Sequence, residues 1–218
     1  ESLRWDLKPD LAAGLTAAYA YVSFPNYTDL LREFQFAGTS AEVSGGLQDY
    51  NRFSLRPEVF FGDSGRAWLS WLLCDFVKAH VLTEKGTYGP SGQVDSVYEA
   101  GASWNFRIPA PSKGFPGVLA ADPAARLDVK KSNQNFLRFA RFGSTDFDFV
   151  SGNYDYVCSE INAPFRWKLK GGTAFVFSPG WTMTAYSARP PRNAEGEYRW
   201  DKKPVSYTHL RAHETVLD

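Results

Sequence analysis

Apolar and polar residues alternate with a period of two over long parts of this chain, and this feature most limits its possible folds. In residues 97–108, VYEAGASWNFRI, every even position is apolar, whereas the odd positions from Glu99 onwards are Glu, Gly, Ser, Asn and Arg. Successive side chains of a β-strand point to opposite faces, so the segment predicts a strand with one apolar and one polar face. Residues 53–61 and 173–186 repeat the pattern. We therefore predict an all-β protein.

Weaker periodicity and turn signals extend this prediction along the chain. Further strands are predicted at residues 11–24, 41–47, 67–78, 124–131, 136–142, 146–150 and 197–200, and one or two helical turns at 27–36. GDSG at 62–65 and KGG at 170–172 predict tight hairpin turns, and longer polar connections are predicted at 80–96, 109–117 and 187–197. Short turns that alternate with long loops are typical of an antiparallel up-and-down meander.

Residues 160–172, EINAPFRWKLKGG, show the two faces of one such strand. The predicted apolar face carries Ile161, Phe165, Trp167 and Leu169, and the predicted polar face carries Asn162, Arg166 and Lys168. Pro164 has no backbone N–H to donate to a neighbouring strand. It therefore predicts a bulge or a local gap in strand pairing.

Composition argues against several classes of protein. Lys and Arg together number 24 in the 218 residues, and so do Asp and Glu, which disfavours a nucleic-acid partner held by bulk charge. Cys74 and Cys158 are the two cysteines; they are too few for a disulfide scaffold or a Cys-rich metal site, and we predict isolated thiols. No apolar run approaches the ~18 residues of a transmembrane helix. No linker divides the chain, so residues 1–204 are predicted to form one domain.

Alternation alone does not distinguish a soluble β-sandwich from a membrane β-barrel. The best predicted strands are long, and a tilted strand needs about 9–11 residues to cross a bilayer. Aromatic residues cluster towards the strand ends, as in the interfacial girdles of barrels. The polar face mixes charges of both signs with Gly and Ser, which suits a lumen. These features favour the barrel.

Three segments resemble bacterial outer-membrane β-barrel proteins in their general pattern of residues, without a signature motif. They are SVYEAGASWNFRIP at 96–109, the long segment 152–191 and GEYRWDKK at 196–203. The resemblance covers about residues 11–203. It implies a closed antiparallel barrel of at least eight strands in the outer membrane, in contact with its lipid. A structural, pore or transport role without enzyme chemistry or cofactor follows, with small solutes as candidate cargo.

This interpretation divides the candidate site residues between two environments. The lumen-facing candidates are Glu99, Arg107, Asn162, Arg166 and Lys168. The candidates for the lipid face or an aromatic girdle are Tyr98, Trp104, Phe106, Phe165, Trp167 and Trp181. Arg107, Arg138, Arg141, Arg166 and Lys168 would favour anionic solutes if they line a pore. The alternative is that such charges pair across strands with Glu58, Glu99 or Asp128.

A secreted or periplasmic β-sandwich that binds carbohydrate is the alternative function, with Trp104, Trp167 and Trp181 as a stacking platform. Catalytic chemistry has little support. Asp146 and Asp148 would lie about 7 Å apart on one strand face, but two surface carboxylates are the simpler interpretation. His80 has no serine or cysteine partner in a recognisable motif. We predict no catalytic residue and no metal site.

Residues 205–215, VSYTHLRAHET, resemble the translated read-through of a sequencing adapter. We therefore expect 205–218 to be a non-native tail, and the natural sequence to break off near residue 204. His209 and His213 have the i, i+4 spacing of a metal pair on a helix. Because both lie in this tail, we assign them no metal.

Overall fold

The computed structural model describes residues 1–24, 49–108, 118–139, 147–169, 173–189, 206–211 and 214–217. The elements predicted at 27–36, 41–47 and 197–200 lie outside these residues. None of the described residues lies in a helix long and apolar enough to span a membrane.

The described regular structure consists of β-strands, and every strand pair is antiparallel, which confirms the all-β antiparallel prediction. The strands are β1 (Ser2–Lys8), β2 (Leu11–Val22), β3 (Tyr50–Phe61), β4 (Gly65–Leu82), β5 (Tyr88–Trp104), β6 (Phe106–Ile108), β7 (Val118–Ala121), β8 (Ala124–Ser132), β9 (Phe136–Phe139), β10 (Phe147–Val150), β11 (Tyr156–Asn162), β12 (Phe165–Lys168), β13 (Ala174–Phe177), β14 (Gly180–Tyr186), β15 (Ser206–Arg211) and β16 (Glu214–Leu217).

Nine of these strands form the main sheet, in the order β1-β2-β3-β4-β5-β8-β11-β14-β15. A second sheet has the order β16-β13-β12-β7-β6, and β9 pairs with β10 in a hairpin. We call the second sheet the short-strand sheet, because its strands have only three or four residues. Among the described residues β1 and β15 are the outer strands of the main sheet, which is therefore open rather than closed into a barrel.

The short-strand sheet continues the main sheet in the same register. Asn162 pairs with Ala124 in the main sheet, and Phe165, three residues later, pairs with Ala121, three residues earlier. The pairs of β5 with β8 and of β6 with β7 show the same continuity. The two sheets are therefore formed by one set of strands, which are interrupted at the same level.

Three prolines on neighbouring strands lie at this break, and we call Pro123, Pro164 and Pro179 the proline belt. Backbone hydrogen bonds cross it: Trp104 N donates to the Pro123 carbonyl, Asp122 N to the Pro164 carbonyl and Ala163 N to the Pro179 carbonyl, each at 3.0 Å. Each proline supplies an acceptor although it has no N–H to donate. The pairing gap predicted at Pro164 is confirmed.

The connections sort to two ends of the sheet. The short-turn end holds the β1–β2 turn and the GDSG turn, where Gly62 has a φ of +58° and its N–H donates to the Asp10 carbonyl at 2.8 Å. Glycine reaches such a left-handed conformation without steric cost. The long-loop end holds the connections between β2 and β3, β9 and β10, and β14 and β15, together with the shorter β4–β5 turn, whereas the connection between β6 and β7 lies at the short-turn end.

The sequence prediction missed several strand segments. β1 and β7 were not predicted, and the loop predicted at 80–96 is wrong in part, because β4 extends to Leu82 and β5 begins at Tyr88. Gly89, Pro90 and Gly92 are poor strand formers, so tertiary hydrogen bonds must hold this extension. The expected tail is also strand: β15 pairs with β14, and β16 with β13.

Candidate functional site

Large apolar side chains form one face of the main sheet, here called the apolar face. Leu55, Trp71, Tyr98, Val129 and Val157 are directly opposite one another on five neighbouring strands. Directly opposite residues of an antiparallel ladder share a face. Four of these five are at least 38% exposed. Among the described residues the other exposed large apolar side chains include Leu3, Trp5, Leu7, Tyr19, Tyr21, Phe53, Val59, Phe61, Leu69, Trp104, Leu127 and Ile161.

The described residues contain very little conventional core. The buried apolar residues are Ala12, Ala79, Leu82, Ala121 and Leu137, and no large side chain among the described residues is fully buried. A groove of about 710 Å³ crosses the apolar face, where Ala67, Ala102 and Ala125 leave space between larger neighbours such as Leu69 and Trp181. The apolar face therefore has no cover within the described part of the chain.

Aromatic side chains border the apolar face at both ends. At the long-loop end the Tyr19 and Phe53 rings lie 5.0 Å apart, and the Tyr19 hydroxyl donates to Asn51 at 2.9 Å. At the short-turn end the Trp104 ring lies 6.2 Å from Phe61 and 6.3 Å from Phe106. From Leu11 to Tyr21 β2 rises about 33 Å.

The six candidates for the lipid face or girdle all lie on this side of the strands. Tyr98 and Trp104 are 52% and 43% exposed on β5, and Phe106 continues the row on β6. Trp181 is opposite Ile161. Phe165 is opposite Ala121, as is Phe106, and the Trp167 ring lies 5.7 Å from Phe175. That lipid rather than water covers these side chains stays a prediction.

Charged side chains meet on the opposite side of the main sheet, here called the polar face. Arg126 lies at its centre, 2.8 Å from Glu160, 3.3 Å from Asp128 and 3.8 Å from Glu99. The Trp68 indole N–H donates to Glu99. One guanidinium thus faces three carboxylates.

Two further ion pairs extend this polar network. Arg56 lies 2.8 Å from Glu58 and over the ring of Trp68, at 4.7 Å from its centroid. Lys130 lies 2.8 Å from Asp95. Arginine stacking on an aromatic ring adds a cation–π attraction to the ion pair. The centre of the polar face is therefore filled by ion-paired side chains in which five carboxylates surround three cations.

The structure separates the five lumen-facing candidates. Glu99 belongs to the central network, and Asn162 lies next to the break, opposite Ala124 and Gly180. Arg107, Arg166 and Lys168 lie beyond the proline belt, on the short-strand sheet.

Ion pairs engage the three predicted acids, but with cations that the sequence did not single out, and only Glu99 pairs across strands, while Asp128 and Glu58 pair within their own strands. Glu99 and Asp128 pair with Arg126, and Glu58 pairs with Arg56. The side chain of Arg138 and all of Arg141 lie outside the description.

Three consecutive amide residues form a corner that sequence reasoning missed, here called the amide corner: Asn133, Gln134 and Asn135. The Gln134 amide, only 4% exposed, accepts from Leu82 N and Asn135 N and donates to the His80 carbonyl and to Gln93. Asn133 bonds Val94 N and the Gly92 carbonyl, and Asn135 donates to the Leu82 carbonyl. These bonds fix the irregular ends of β4 and β5, where the register shifts. The run SNQN, so rich in side-chain amides, was the available signal.

A buried carboxylate, Asp49, closes the connection between β2 and β3 just before β3 begins. It accepts from Phe24 N at 2.6 Å, from the Tyr21 hydroxyl at 2.9 Å and from the Ser23 hydroxyl at 3.3 Å. The Phe24 N–H lowers the pKa of Asp49 below its ordinary value of 3.8, and the two hydroxyls add to this, against the opposing effect of desolvation. Hydrogen bonds to the charged form favour it.

Asp49→Asn should therefore remove a stability term that depends on pH. Because the folded-state pKa is lowered, the charged Asp49 stabilises the fold above pH 3.8, and this contribution is lost as pH falls through the folded-state value. The free energy of unfolding should be measured for the parent and for the variant from pH 6 to pH 2. The stability advantage of the parent should decrease below about pH 4. A difference that stays constant over this range would contradict the assignment.

The remaining chemical candidates are not assembled into a site. His80 is exposed near the end of β4, and Cys74 and Cys158 are free thiols. Among the described residues no three His, Cys, Asp or Glu side chains are grouped as for a metal ion. Asp146 and the side chain of Asp148 lie outside the description.

No protein-family model, curated protein or solved structure matches this chain. The fold and its two faces are therefore the basis for any functional interpretation.

Proposed function

We propose that this chain is part of a bacterial outer-membrane β-barrel protein with a structural, pore or transport role and no enzyme chemistry. The observation that carries the proposal is the apolar face, which extends across the main sheet and stays exposed in the described residues. In this proposal outer-membrane lipid covers the apolar face, and the polar face lines the lumen.

The size of the apolar face favours lipid over water. Soluble monomers rarely expose an apolar patch larger than a few hundred Å², and each fully exposed large side chain forgoes about 1.5–3 kcal/mol of burial energy. Seventeen large apolar side chains on the described strands of the main sheet are exposed. In lipid this exposure costs nothing, and the aromatic borders lie where Trp and Tyr are favoured.

The connections orient the proposed barrel. Outer-membrane barrels have short periplasmic turns and longer external loops, and the two longest connections, β2–β3 and β14–β15, lie at the long-loop end, so the short-turn end would face the periplasm. In lipid every backbone N–H and C=O must be paired, and an open edge such as that of β1 requires a partner strand. The proposal therefore includes closure of the sheet.

The β-sandwich alternative fits the described residues less well. A sandwich buries the apolar face of one sheet against a second sheet about 10 Å away. Here the two larger sheets are successive parts of the same strands, and few apolar side chains are buried. The three tryptophans of the supposed stacking platform pack in separate neighbourhoods, with Trp104 beside Phe61 and Trp167 beside Phe175.

Heat modifiability in detergent tests the proposal. The chain, refolded into detergent micelles, should migrate on SDS gels at a different apparent mass before and after boiling, because a closed barrel resists SDS until it is heated. Its unboiled band should disappear when the sample is first unfolded in urea, which serves as the control. A chain that is monomeric and folded in buffer without detergent would overturn the membrane assignment.

A further inference from the structure

The short-strand sheet carries three cationic side chains on one face. Arg107 and Arg166 are both opposite Ala120, one on each side of it. Lys168 is two residues beyond Arg166 on the same strand and is opposite Val118. Opposite residues and alternate residues of a strand share a face, so the three cations lie together.

The two chain segments that carry these cations contain no acidic residue that could compensate them. Residues 106–121 and 163–181 contain no Asp or Glu. Arg107, Arg166 and Lys168 are exposed, and none forms an ion pair with a described residue. Asp122, the nearest acid along β7, accepts a hydrogen bond from the Asn105 amide. Arg126 of the main sheet differs from these three cations, because it faces three carboxylates.

Small side chains separate the three cations. Adjacent strands lie about 4.8 Å apart, which places the Arg107 and Arg166 backbones about 10 Å apart with Ala120 between them. Two residues along a strand span about 6.6 Å, the distance from Arg166 to Lys168. Ala120 and Val118 leave room above the sheet, so three positive groups can converge on one small molecule.

We propose that this face binds small multivalent oxyanions, such as polyphosphates and phosphate esters, at the short-turn mouth of the barrel. This placement in a mouth rests on the proposed function. A free solute is favoured over a lipid head group, because Phe106, Phe165 and their aromatic neighbours lie on the other face of the same strands. Arginine forks match phosphate oxygens in two parallel hydrogen bonds, and lysine adds a point charge.

Titration of tripolyphosphate into the folded chain at low salt, followed by calorimetry, tests this inference. Arg166→Gln should weaken binding about fivefold, near the upper limit for one exposed ion pair. Lys85→Gln is the matched control, because Lys85 is exposed in the β4–β5 turn at the opposite end of the sheet and carries the same charge. Binding by the parent should also weaken as salt is raised from about 0.01 M to 1 M.

Arg107→Gln, on a different strand, is the second variant, so that a folding defect in one variant leaves the test intact. Loss of affinity in either folded variant, with Lys85→Gln unchanged, supports the site. Absence of saturable binding, or equal affinity in all variants, overturns it. The measurement needs only folded protein, in micelles or in buffer. Failure of the anion site is therefore distinguishable from failure of the barrel, which the gel assay reports separately.

Discussion

Replacement of Leu69 by arginine is expected to destabilise the protein folded in a lipid bilayer by about 2–4 kcal/mol. Leu69 lies on the apolar face of β4, opposite Ala100, and is 62% exposed, so in water the substitution would be nearly neutral. Near the midplane of a bilayer the same guanidinium loses its hydration. The free energy of unfolding from phospholipid vesicles, obtained by urea titration of tryptophan fluorescence, measures this cost.

Leu7→Arg is the matched control for this substitution. Leu7 has nearly the same exposure, 59%, but lies beside the turn between β1 and β2, at the level of the aromatic border. Charged substitutions near the interface cost only about 0–1 kcal/mol. A depth-dependent difference between the two variants is specific to a bilayer. Equal small costs at both positions would show that the apolar face contacts water, and would remove the main support for the proposed function.

The strand faces were predictable from the sequence because side-chain direction in a strand depends only on position. The alternation in 97–108 and 53–61 placed Tyr98, Trp104 and Val59 on the apolar face, where the structure has them. β1 carries the same signal, with Leu3, Trp5 and Leu7 alternating with charged residues, so this strand was also predictable from the sequence.

Features that depend on register were not predictable from one strand at a time. Pro164 indicated a gap, but its alignment with Pro123 and Pro179 requires the pairing of three strands. The partner of Glu99 also follows from register, since Arg126 reaches Glu99 and Glu160 from the strand between them. The separation of the cations at Arg107 and Arg166 from this network follows from the break.

The amide corner was not predictable from the sequence for a different reason, because side-chain amides do not follow a periodic pattern along a strand. Its importance is testable by Gln134→Met, a change of similar shape that removes four side-chain hydrogen bonds. The buried Leu82 N–H and the part-buried His80 carbonyl would lose their Gln134 partner, and each buried unsatisfied group costs about 1–3 kcal/mol. We expect the free energy of unfolding to fall by about 3–5 kcal/mol. Amide hydrogen exchange at Leu82 and Asn135 should accelerate with it.

The Asn133→Ala variant distinguishes two causes of the expected loss of stability, the burial of the amide and the number of its hydrogen bonds. Asn133 also makes two hydrogen bonds to the ends of β5, at 2.7 Å to Val94 N and 3.0 Å to the Gly92 carbonyl, but its side chain is exposed. Water can replace a lost partner at an exposed site, so the cost should be about 1 kcal/mol. A loss from Asn133→Ala of about half that from Gln134→Met would mean that the corner acts through its number of bonds, since Asn133 makes two and Gln134 four. If the dry interior of the corner holds the ends of β4 and β5 together, the loss of stability should be several times larger at Gln134. A polar group in this interior has no alternative partner.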